Sequence, residues 1–466
     1  MQTLRRIFLI LLLLLVLIFG PGLIVGYADL SLARLATSSH ESSYYYEWAA
    51  ERLPWYSDLY EAAGVSAIDA GEYARAASLL QTSRQKGTLA ASGQFELGRA
   101  YYLAGNDEEA SAEWKNLLED ATVRGSASEY LAEVYHSHGQ FDDEQKILRR
   151  WLDFDPTNLD AKYRLGLLLF AQASPDAFPL LEAVASGGPA ALKAHVEGLR
   201  STLRTALEQP SLSASLVVCG RTLAAINEWP LAGQTFLHAT QADPTNGLAW
   251  AWLGEARQQL GNGDAAASFG RALTLSPASG EIHAMAGLYR QRQGDWQKAL
   301  VEFETAARLE PQNAVWQMSL GDTSVHLGDL VKALAYYQAA VSLAPKDAQT
   351  WSALALFSVE NGVDVEGVGR DAALQAYALQ PDSAQNMDTL GRALMATGQW
   401  DTAELFFKKA MAASPDDAAP PFHLGLLYLQ TNKSDQARQY LKSAQALDPN
   451  GPIGTQAAHV LARYLP

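Results

Sequence analysis

The residues of this chain that could act on a substrate are spaced as in helices and not as in a catalytic site. Of the nine histidines, only His136 and His138 lie close together, and a spacing of two residues turns their side chains to different sides of a helix. Asp142 and Asp143 stand where a helix is predicted to begin, a position in which carboxylates complement the helix dipole. The motifs HExxH, GxSxG and GxxxxGK(S/T) do not occur. The sequence therefore predicts that the protein is not an enzyme.

The cysteine content and the net charge exclude further kinds of binding site. Cys219 is the one cysteine of the chain, which excludes an intramolecular disulfide bond and a CxxC metal site. It precedes Gly220 at a predicted helix-packing position, so we expect a buried and unreactive thiol. The net charge of −16 argues against nucleic acid, which requires clustered Lys and Arg. We expect no metal, no cofactor and no nucleic-acid partner.

The elements that position these residues form a repeat. Prolines recur at intervals of 33 to 36 residues from Pro244 to Pro449, where helices are expected to end because proline disfavours the α conformation in the preceding residue. A small residue follows ten residues later, and the same position can be traced back towards the N terminus. These small-residue positions are Gly64, Gly98, Ala132, Gly166, Gly220, Gly254, Gly287, Gly321, Ala355, Gly391 and Gly425. A period of about 34 residues predicts eleven stacked repeats and not one globular core.

The repeat at Gly321 indicates two helices joined by a tight turn. Gly328 can adopt the left-handed conformation that ends a helix, and Asp329 can accept from the free N–H groups that begin the next one. The second helix carries Ala333 and the aromatic Tyr337 on its apolar stripe. We expect Gly321 and Ala333 to lie where the two helices cross, because small residues permit a close approach.

This pattern resembles the tetratricopeptide repeat (TPR) family, whose 34-residue motif has Trp, Leu-Gly, Tyr, Ala, Phe, Ala and Pro at fixed positions. The resemblance extends from Trp55 to Asn450. It implies an all-α solenoid, a right-handed superhelix of about eleven helix-turn-helix repeats. Repeats 1–4 would occupy residues 57–186, and repeats 5–11 would occupy residues 211–451. The motif is specific for the fold and does not identify a partner.

The N-terminal segment is apolar. Ile7 to Val25 contains no charged residue and follows Arg5 and Arg6. A helix of this length can cross a hydrocarbon core, and the arginines favour a cytoplasmic N terminus. We therefore predict a cytoplasmic segment over residues 1–6 and a single-pass transmembrane signal-anchor helix over residues 7–26, with the repeats outside the cytoplasm at the cell membrane. A cleaved signal peptide followed by secretion is the alternative.

Both ends of the predicted array need a cap. Residues 27–56 form a juxtamembrane segment rich in aromatic residues, among them Tyr46, Trp48 and Trp55. These rings either rest at the lipid headgroups or pack on the exposed end of the first repeat, and we favour packing. Residues 452–466 are predicted to form a C-terminal capping helix for the same reason.

Two irregularities interrupt the repeat. About twenty extra residues separate Gly166 from Gly220, and we predict an inserted helix within residues 187–210, over Ala190 to Leu207. This insertion should split the array into four repeats before it and seven after it. The second irregularity is NGVDVEGVGR at residues 361–370, for which we predict a protruding loop.

The candidate site also follows from the resemblance. In the TPR family the first helices line a concave face, and residues three before and one after the small-residue position point into it. The corresponding groove residues here are Phe95, Arg99, Tyr163, Arg221, Glu255, Met318, Asp322, Arg392 and Phe422. This mixed surface suits an amphipathic helix or an extended segment of a protein partner. The lysines and asparagines with which some TPR proteins clamp a C-terminal carboxylate are not matched here.

The resemblance implies a non-enzymatic scaffold for protein–protein interactions. Membrane-tethered TPR proteins of bacteria are similar to this chain, including those that serve cytochrome maturation, pilus assembly and outer-layer biogenesis. We therefore expect a role in assembling a complex of the bacterial cell envelope. One alternative is an accessory subunit of an envelope enzyme complex. Another is a carbohydrate- or peptidoglycan-binding module in which Phe95, Tyr163 and Phe422 stack on sugar rings.

Overall fold

The computed structural model describes residues 2–87, 89–261 and 263–465, and for residues 2–16, 18 and 19 it describes the backbone without the side chains. These described residues form 26 α-helices and one short π-helical turn, Val365–Gly369, and they contain no β-strand. The helices are α1 Gln2–Leu35, α2 Ser39–Arg52, α3 Leu59–Asp69, α4 Tyr73–Gln85, α5 Ala91–Leu103, α6 Asp107–Lys115, α7 Arg124–Ser137, α8 Phe141–Phe154, α9 Leu159–Ala171, α10 Ala177–Gly187, α11 Ala190–Leu207, α12 Leu212–Ala225, α13 Trp229–Ala242, α14 Gly247–Gln259, α15 Ala265–Leu275, α16 Gly280–Arg292, α17 Trp296–Leu309, α18 Ala314–His326, α19 Leu330–Leu343, α20 Ala348–Asn361, α21 Arg370–Leu379, α22 Ala384–Ala396, α23 Trp400–Ala413, α24 Ala419–Gln430, α25 Ser434–Leu447 and α26 Pro452–Tyr464.

The chain divides into two compact units, Met1–His238 and Ala239–Pro466, which we call the N-terminal unit and the C-terminal unit. Within each unit, helices that follow one another in sequence pack together, and first helices of neighbouring repeats also touch. In the N-terminal unit α3 contacts α5 and α9 contacts α12, and in the C-terminal unit α14 contacts α16, α18 contacts α20, and α22 contacts both α20 and α24. This repeated contact is typical of a helical solenoid, in which each repeat buries its apolar face on the next.

The small-residue positions lie where the two helices of a repeat meet, as predicted. A Cβ atom added to Gly321 would stand 2.9 Å from Cε2 of Tyr337, and one added to Gly391 would stand 2.6 Å from Cε1 of Phe407. These distances leave no room for a larger side chain. Ala333 is also fully buried. The predicted helix crossing is therefore confirmed.

The turn inside the repeat also forms as the sequence indicates. α18 ends at His326, and Gly328 has a φ of +79°, which a residue with a Cβ adopts only with strain. The Asp329 carboxylate accepts a hydrogen bond from the backbone N–H of Lys332 at 3.1 Å and so caps α19.

The inserted segment does not separate the two units. α11 occupies Ala190–Leu207 and buries Val196, Leu199 and Leu203 between α10 and α12, while α9 and α12 still contact each other. The division between the two compact units falls further along the chain, inside α13; the assignment of four repeats before the insertion and seven after it stays a prediction. Because α10, α11 and α12 pack in succession, the insertion is part of the N-terminal unit.

The prediction of a protruding loop at residues 361–370 is wrong. Val365–Gly369 forms a π-helical turn that continues directly into α21, and Val363 and Val368 pack on the apolar core of the C-terminal unit. Asp364 permits this path because it takes a left-handed conformation, and its carboxylate accepts from the N–H of Gly367 at 3.1 Å. The interval from Pro345 to Pro381 is two residues longer than the usual 34, and this extra length is accommodated in a widened helical turn.

The described half of α1 packs against α2. Leu30 is buried with Ala49, Ala50 and Leu53, and Gly26 allows the approach because a Cβ there would stand 2.8 Å from Cγ of Leu53. Among the described residues, no helix is both long and apolar enough to pass through a membrane. The side chains of the predicted cytoplasmic residues 1–6 and most side chains of the predicted span, residues 7–26, lie outside the described part. The span therefore stays a prediction without structural support.

The two terminal segments cover apolar surface. Tyr46, Tyr56 and Tyr60 pack on the cluster between α1 and α2, whereas Trp48 and Trp55 are exposed. At the other end, α26 packs on α25, and Arg438 donates a hydrogen bond to the carbonyl oxygen of Leu465 at 2.7 Å.

Candidate functional site

Ion pairs join the first helices of consecutive repeats in the C-terminal unit. Arg292 of α16 donates two hydrogen bonds to the Glu255 carboxylate of α14, each 2.7 Å long. Arg392 of α22 donates to Oε1 of Glu360 in α20 at 3.1 Å. Exposed ion pairs add little to stability, but these two fix the positions of carboxylates on the face where the groove was predicted.

A cavity of about 470 Å³ opens on this face, within the range of roughly 300–1,000 Å³ that is typical of ligand sites. We call it the acidic cavity because the carboxylates of Asp322 and Glu360 line it. The rings of Trp296 and His326 stack at 3.8 Å with an angle of 9° between their planes. The full lining is Gln291, Trp296, Asp322, Val325, His326, Tyr337, Ala353, Leu356, Phe357, Glu360 and Asn361.

The Asp322 carboxylate is held by a tyrosine and partly enclosed by protein. Although the residue is exposed towards the cavity, the protein packed around its carboxylate raises the pKa of Asp322 above its ordinary value. Its Oδ1 accepts a hydrogen bond from the Tyr337 hydroxyl. Burial and this carboxylate together raise the pKa of Tyr337. The phenol therefore stays a proton donor and holds the carboxylate in one orientation.

A second cavity, of about 410 Å³, adjoins the first one along α20, since Ala353 and Leu356 line both. We call it the amide cavity because Gln and Asn side chains dominate its wall. Its lining is Asp347, Gln349, Ser352, Ala353, Leu356, Gln380, Ser383, Gln385 and Asn386.

The Ser352 hydroxyl is an unpartnered polar group in the amide cavity. Ser352 is only 6 % exposed, and its Oγ has no hydrogen-bond partner among the described residues. By contrast, Ser319 and Ser324 of α18 donate to carbonyl oxygens of their own helix, at 3.1 Å and 2.8 Å. A buried hydroxyl left without a partner costs about 1–3 kcal/mol. The hydroxyl itself is closed off from solvent, so a bound molecule would reach it only after the side chain turned towards the cavity.

The N-terminal unit contains a charged cluster that lines a smaller cavity, of about 220 Å³. His136 contacts the carboxylates of Glu144 at 2.9 Å and Glu228 at 3.3 Å, and these two acids raise the pKa of His136 to about 10. Arg164 also reaches Glu144, at 3.5 Å, and Glu133, at 3.2 Å. The polar groups in this cluster partner each other, so the arrangement supports the packing of α7, α8 and α9 more than it offers a binding site.

The four groove residues predicted in the N-terminal unit have different environments. Phe95 is half-buried against Trp114 and Tyr130. Arg99 pairs with Glu96 of its own helix at 2.6 Å, and Arg221 is exposed. The hydroxyl of Tyr163 lies 3.2 Å from Nε2 of His195 on the inserted helix α11. Tyr163 is thus partly covered by the chain itself.

Of the five groove residues predicted in the C-terminal unit, Asp322 lines the acidic cavity and Arg392 pairs with Glu360, which also lines it. Glu255 pairs with Arg292 and lines neither cavity. Met318 is half-buried against the core. Phe422 is 6 % exposed, so it has almost no surface for a partner or a sugar ring to contact.

Sequence reasoning missed the residues one helical turn beyond the predicted positions. Arg292, His326 and Glu360 each stand five residues after a small-residue position, which is four residues after a predicted groove position. Residues four apart share one face of a helix. Extending the predicted face by one turn would have found all three.

Cys219 is fully buried, as predicted. Burial raises the pKa of its thiol to about 12, so the reactive thiolate is scarce at neutral pH.

Stacked pairs of helices with a small residue at each crossing are typical of helical-repeat proteins. Within that class, residues 61–114, 284–348 and 394–463 match family models described as tetratricopeptide repeat. These segments make up less than half of the chain, and they support the TPR resemblance that the sequence pattern indicated. No similar protein is found among curated proteins.

Several solved structures share the helical fold at low similarity. A chain of the APC/C hetero-tetramer Cut9-Hcn1 is 15 % identical, with 98 % of both chains covered and a TM-score of 0.41. Yeast Tom70 is 14 % identical, with 95 % of both chains covered and a TM-score of 0.42. YrrB, described as a TPR protein with an unusual peptide-binding site, is 16 % identical over 41 % of this chain and 97 % of its own, with a TM-score of 0.32. No conclusion about this chain's partner follows from similarities this weak.

Proposed function

We propose that this protein is a non-enzymatic TPR scaffold that holds a segment of a protein partner along α18, α20 and α22 of the C-terminal unit. TPR proteins generally mediate protein–protein interactions, which supports the class of function. The observation that carries the proposal is the pair of adjoining cavities along α20. A groove lined by carboxylates and amides suits a polypeptide, because a polypeptide alternates side chains with hydrogen-bonding main chain.

The proposal extends to location. The apolar stretch from Ile7 to Val25, with Arg5 and Arg6 before it, supports a membrane tether with the repeats outside the cytoplasm. A scaffold held in this way would serve the assembly of a cell-envelope complex. The carbohydrate-binding alternative requires Phe422 to stack on a sugar ring, and the burial of this side chain argues against that role.

The proposal is tested with two arginine substitutions in the full-length protein. Leu356 lines both cavities, so Leu356→Arg should block the groove. Val331 is 82 % exposed on the second helix α19 and lines neither cavity, so Val331→Arg is the matched control. Partners are identified by chemical crosslinking in intact cells of the native host, followed by purification and mass spectrometry.

The expected result is a partner that co-purifies with the wild-type chain and with Val331→Arg but not with Leu356→Arg, while all three have the same helical circular dichroism. A partner retained equally by both variants would place the interaction outside the groove and contradict the proposal.

A further inference from the structure

The acidic cavity contains a carboxylate that the chain itself does not neutralise. Asp322 accepts from the Tyr337 hydroxyl, and the described ion pairs give it no Lys or Arg partner. A charge that is partly removed from water without a counterion is unfavourable, and a cation brought by a partner removes this cost.

The second carboxylate of the cavity is only partly used. Arg392 contacts one oxygen of Glu360, and the Glu360 side chain remains 55 % exposed. Glu360 can therefore accept a further hydrogen bond while it keeps its pairing with Arg392. Asp322 and Glu360 thus each contribute a carboxylate acceptor to one cavity, which favours a ligand that brings donors to this part of it.

The walls between these carboxylates are apolar and aromatic. Tyr337 and Phe357 lie with ring centroids 5.0 Å apart, and the stacked Trp296 and His326 form a further wall. A lysine or arginine side chain is complementary to such a cavity, because its aliphatic stem packs on apolar surface while its charged end reaches an acceptor. The faces of Trp, Tyr and Phe rings also attract cations directly.

The adjoining amide cavity could hold the main chain of the same bound segment. Gln349 and Gln385 are exposed and line this cavity, and Ser383 adds a hydroxyl to its wall. Side-chain amides and hydroxyls both donate and accept, as required to bind the N–H and C=O groups of an extended main chain. One continuous segment can therefore occupy both cavities.

We infer that the acidic cavity is a specificity site for a lysine or arginine side chain of the partner, whose extended main chain continues along α20 into the amide cavity. This inference rests on the proposed function and adds the chemistry of the recognised residue. It also fits the net charge of −16, since an acidic scaffold attracts basic segments through long-range electrostatics.

The test begins with selection of random peptides displayed on phage against the immobilised full-length protein. Selected sequences are synthesised with a fluorescent label, and their affinities are measured by anisotropy. Asp322→Asn and Glu360→Gln remove a charge while keeping an acceptor, so the Tyr337 contact can persist. Glu304→Gln is the control, because Glu304 is exposed on α17 and lines neither cavity.

We expect the selected peptides to share one Lys or Arg. Asp322→Asn should weaken binding by roughly 10- to 150-fold, the range expected when a hydrogen bond to a charged group is lost. Replacing the basic residue of the peptide with Gln should cause a similar loss, and combining the two changes should cause little further loss, because both remove one interaction. Glu304→Gln should bind like the wild type.

Two results would overturn the inference, and only the second would also contradict the proposed function. Peptides that bind the wild type, lose binding with Leu356→Arg and yet are insensitive to Asp322→Asn and Glu360→Gln would refute the basic-residue site while leaving the groove function intact. Failure to select any peptide that depends on Leu356 would count against both the site and the proposed function.

Discussion

Replacing Gly321 with leucine tests the helix crossing on which the repeat depends. A Cβ at this position would stand 2.9 Å from Cε2 and Cζ of Tyr337 and 3.0 Å from Cε1. The ring has little freedom to move away, because its hydroxyl bonds to Asp322 and its face packs on Phe357. Leucine adds three more carbon atoms beyond that Cβ. We expect a destabilisation of about 1–3 kcal/mol, the usual cost of overpacking a tight contact.

Gly270 provides the matched control. It also lies inside a helix of the C-terminal unit, α15, but a Cβ there would meet no atom within 4 Å. Gly270→Leu should therefore be neutral or stabilise the protein by up to about 1 kcal/mol, because leucine favours the helix over glycine. Comparing the two variants separates crowding from helix propensity.

Amide hydrogen exchange read by mass spectrometry localises the effect. A loss of 1–3 kcal/mol raises local opening by roughly 5- to 150-fold, and nearest-neighbour coupling confines it mainly to α18, α19 and the adjoining repeats. If Gly321→Leu exchanged at the wild-type rate in α18 and α19, or no faster than Gly270→Leu, the packing argument would be refuted.

Three further predictions concern charge, reactivity and topology. His136→Gln should destabilise the N-terminal unit at pH 6 and much less above pH 10. The pKa of His136 is raised to about 10 from an ordinary value of 6.5, so its contribution to the free energy of unfolding is complete below pH 6.5 and is lost as the pH rises through 10. Urea unfolding of both proteins across this range measures the difference in stability, and an equal difference at every pH would contradict the prediction. Cys219 should react with a thiol reagent only after unfolding, since its thiol is buried and weakly acidic, and rapid labelling of the native protein would contradict the burial. A protease added outside intact cells or spheroplasts should digest the repeats, whereas full protection until lysis would reverse the proposed orientation.

The fold was predictable from the sequence because its determinants are local and periodic. Gly321, Gly328 and Asp329 specify a close approach, a left-handed turn and a cap within nine residues, and each takes the predicted role. The turn at residues 361–370 was not predictable in this way, because a π-helical turn depends on packing of Val363 and Val368 against a core formed by other helices.

The candidate site was predictable only in part. Position within the repeat identified Asp322 and Arg392, since side-chain direction follows helical periodicity. It could not distinguish Phe422, which is buried, from an exposed aromatic residue, because burial depends on the neighbouring repeat. Nor could it show that Tyr163 meets the inserted helix through His195, or that the hydroxyl of Ser352 lacks a partner.

The most direct test of the account is site-specific photocrosslinking of the full-length protein in its native cells. A photoreactive amino acid is placed at Leu356, inside the groove, or at Val331, on the exposed face of α19. We predict that the probe at Leu356 forms a crosslink to one partner segment that contains Lys or Arg, and that the probe at Val331 does not form this crosslink. A crosslink to the same partner from Val331, with none from Leu356, would contradict the claim that this protein holds its partner along α20.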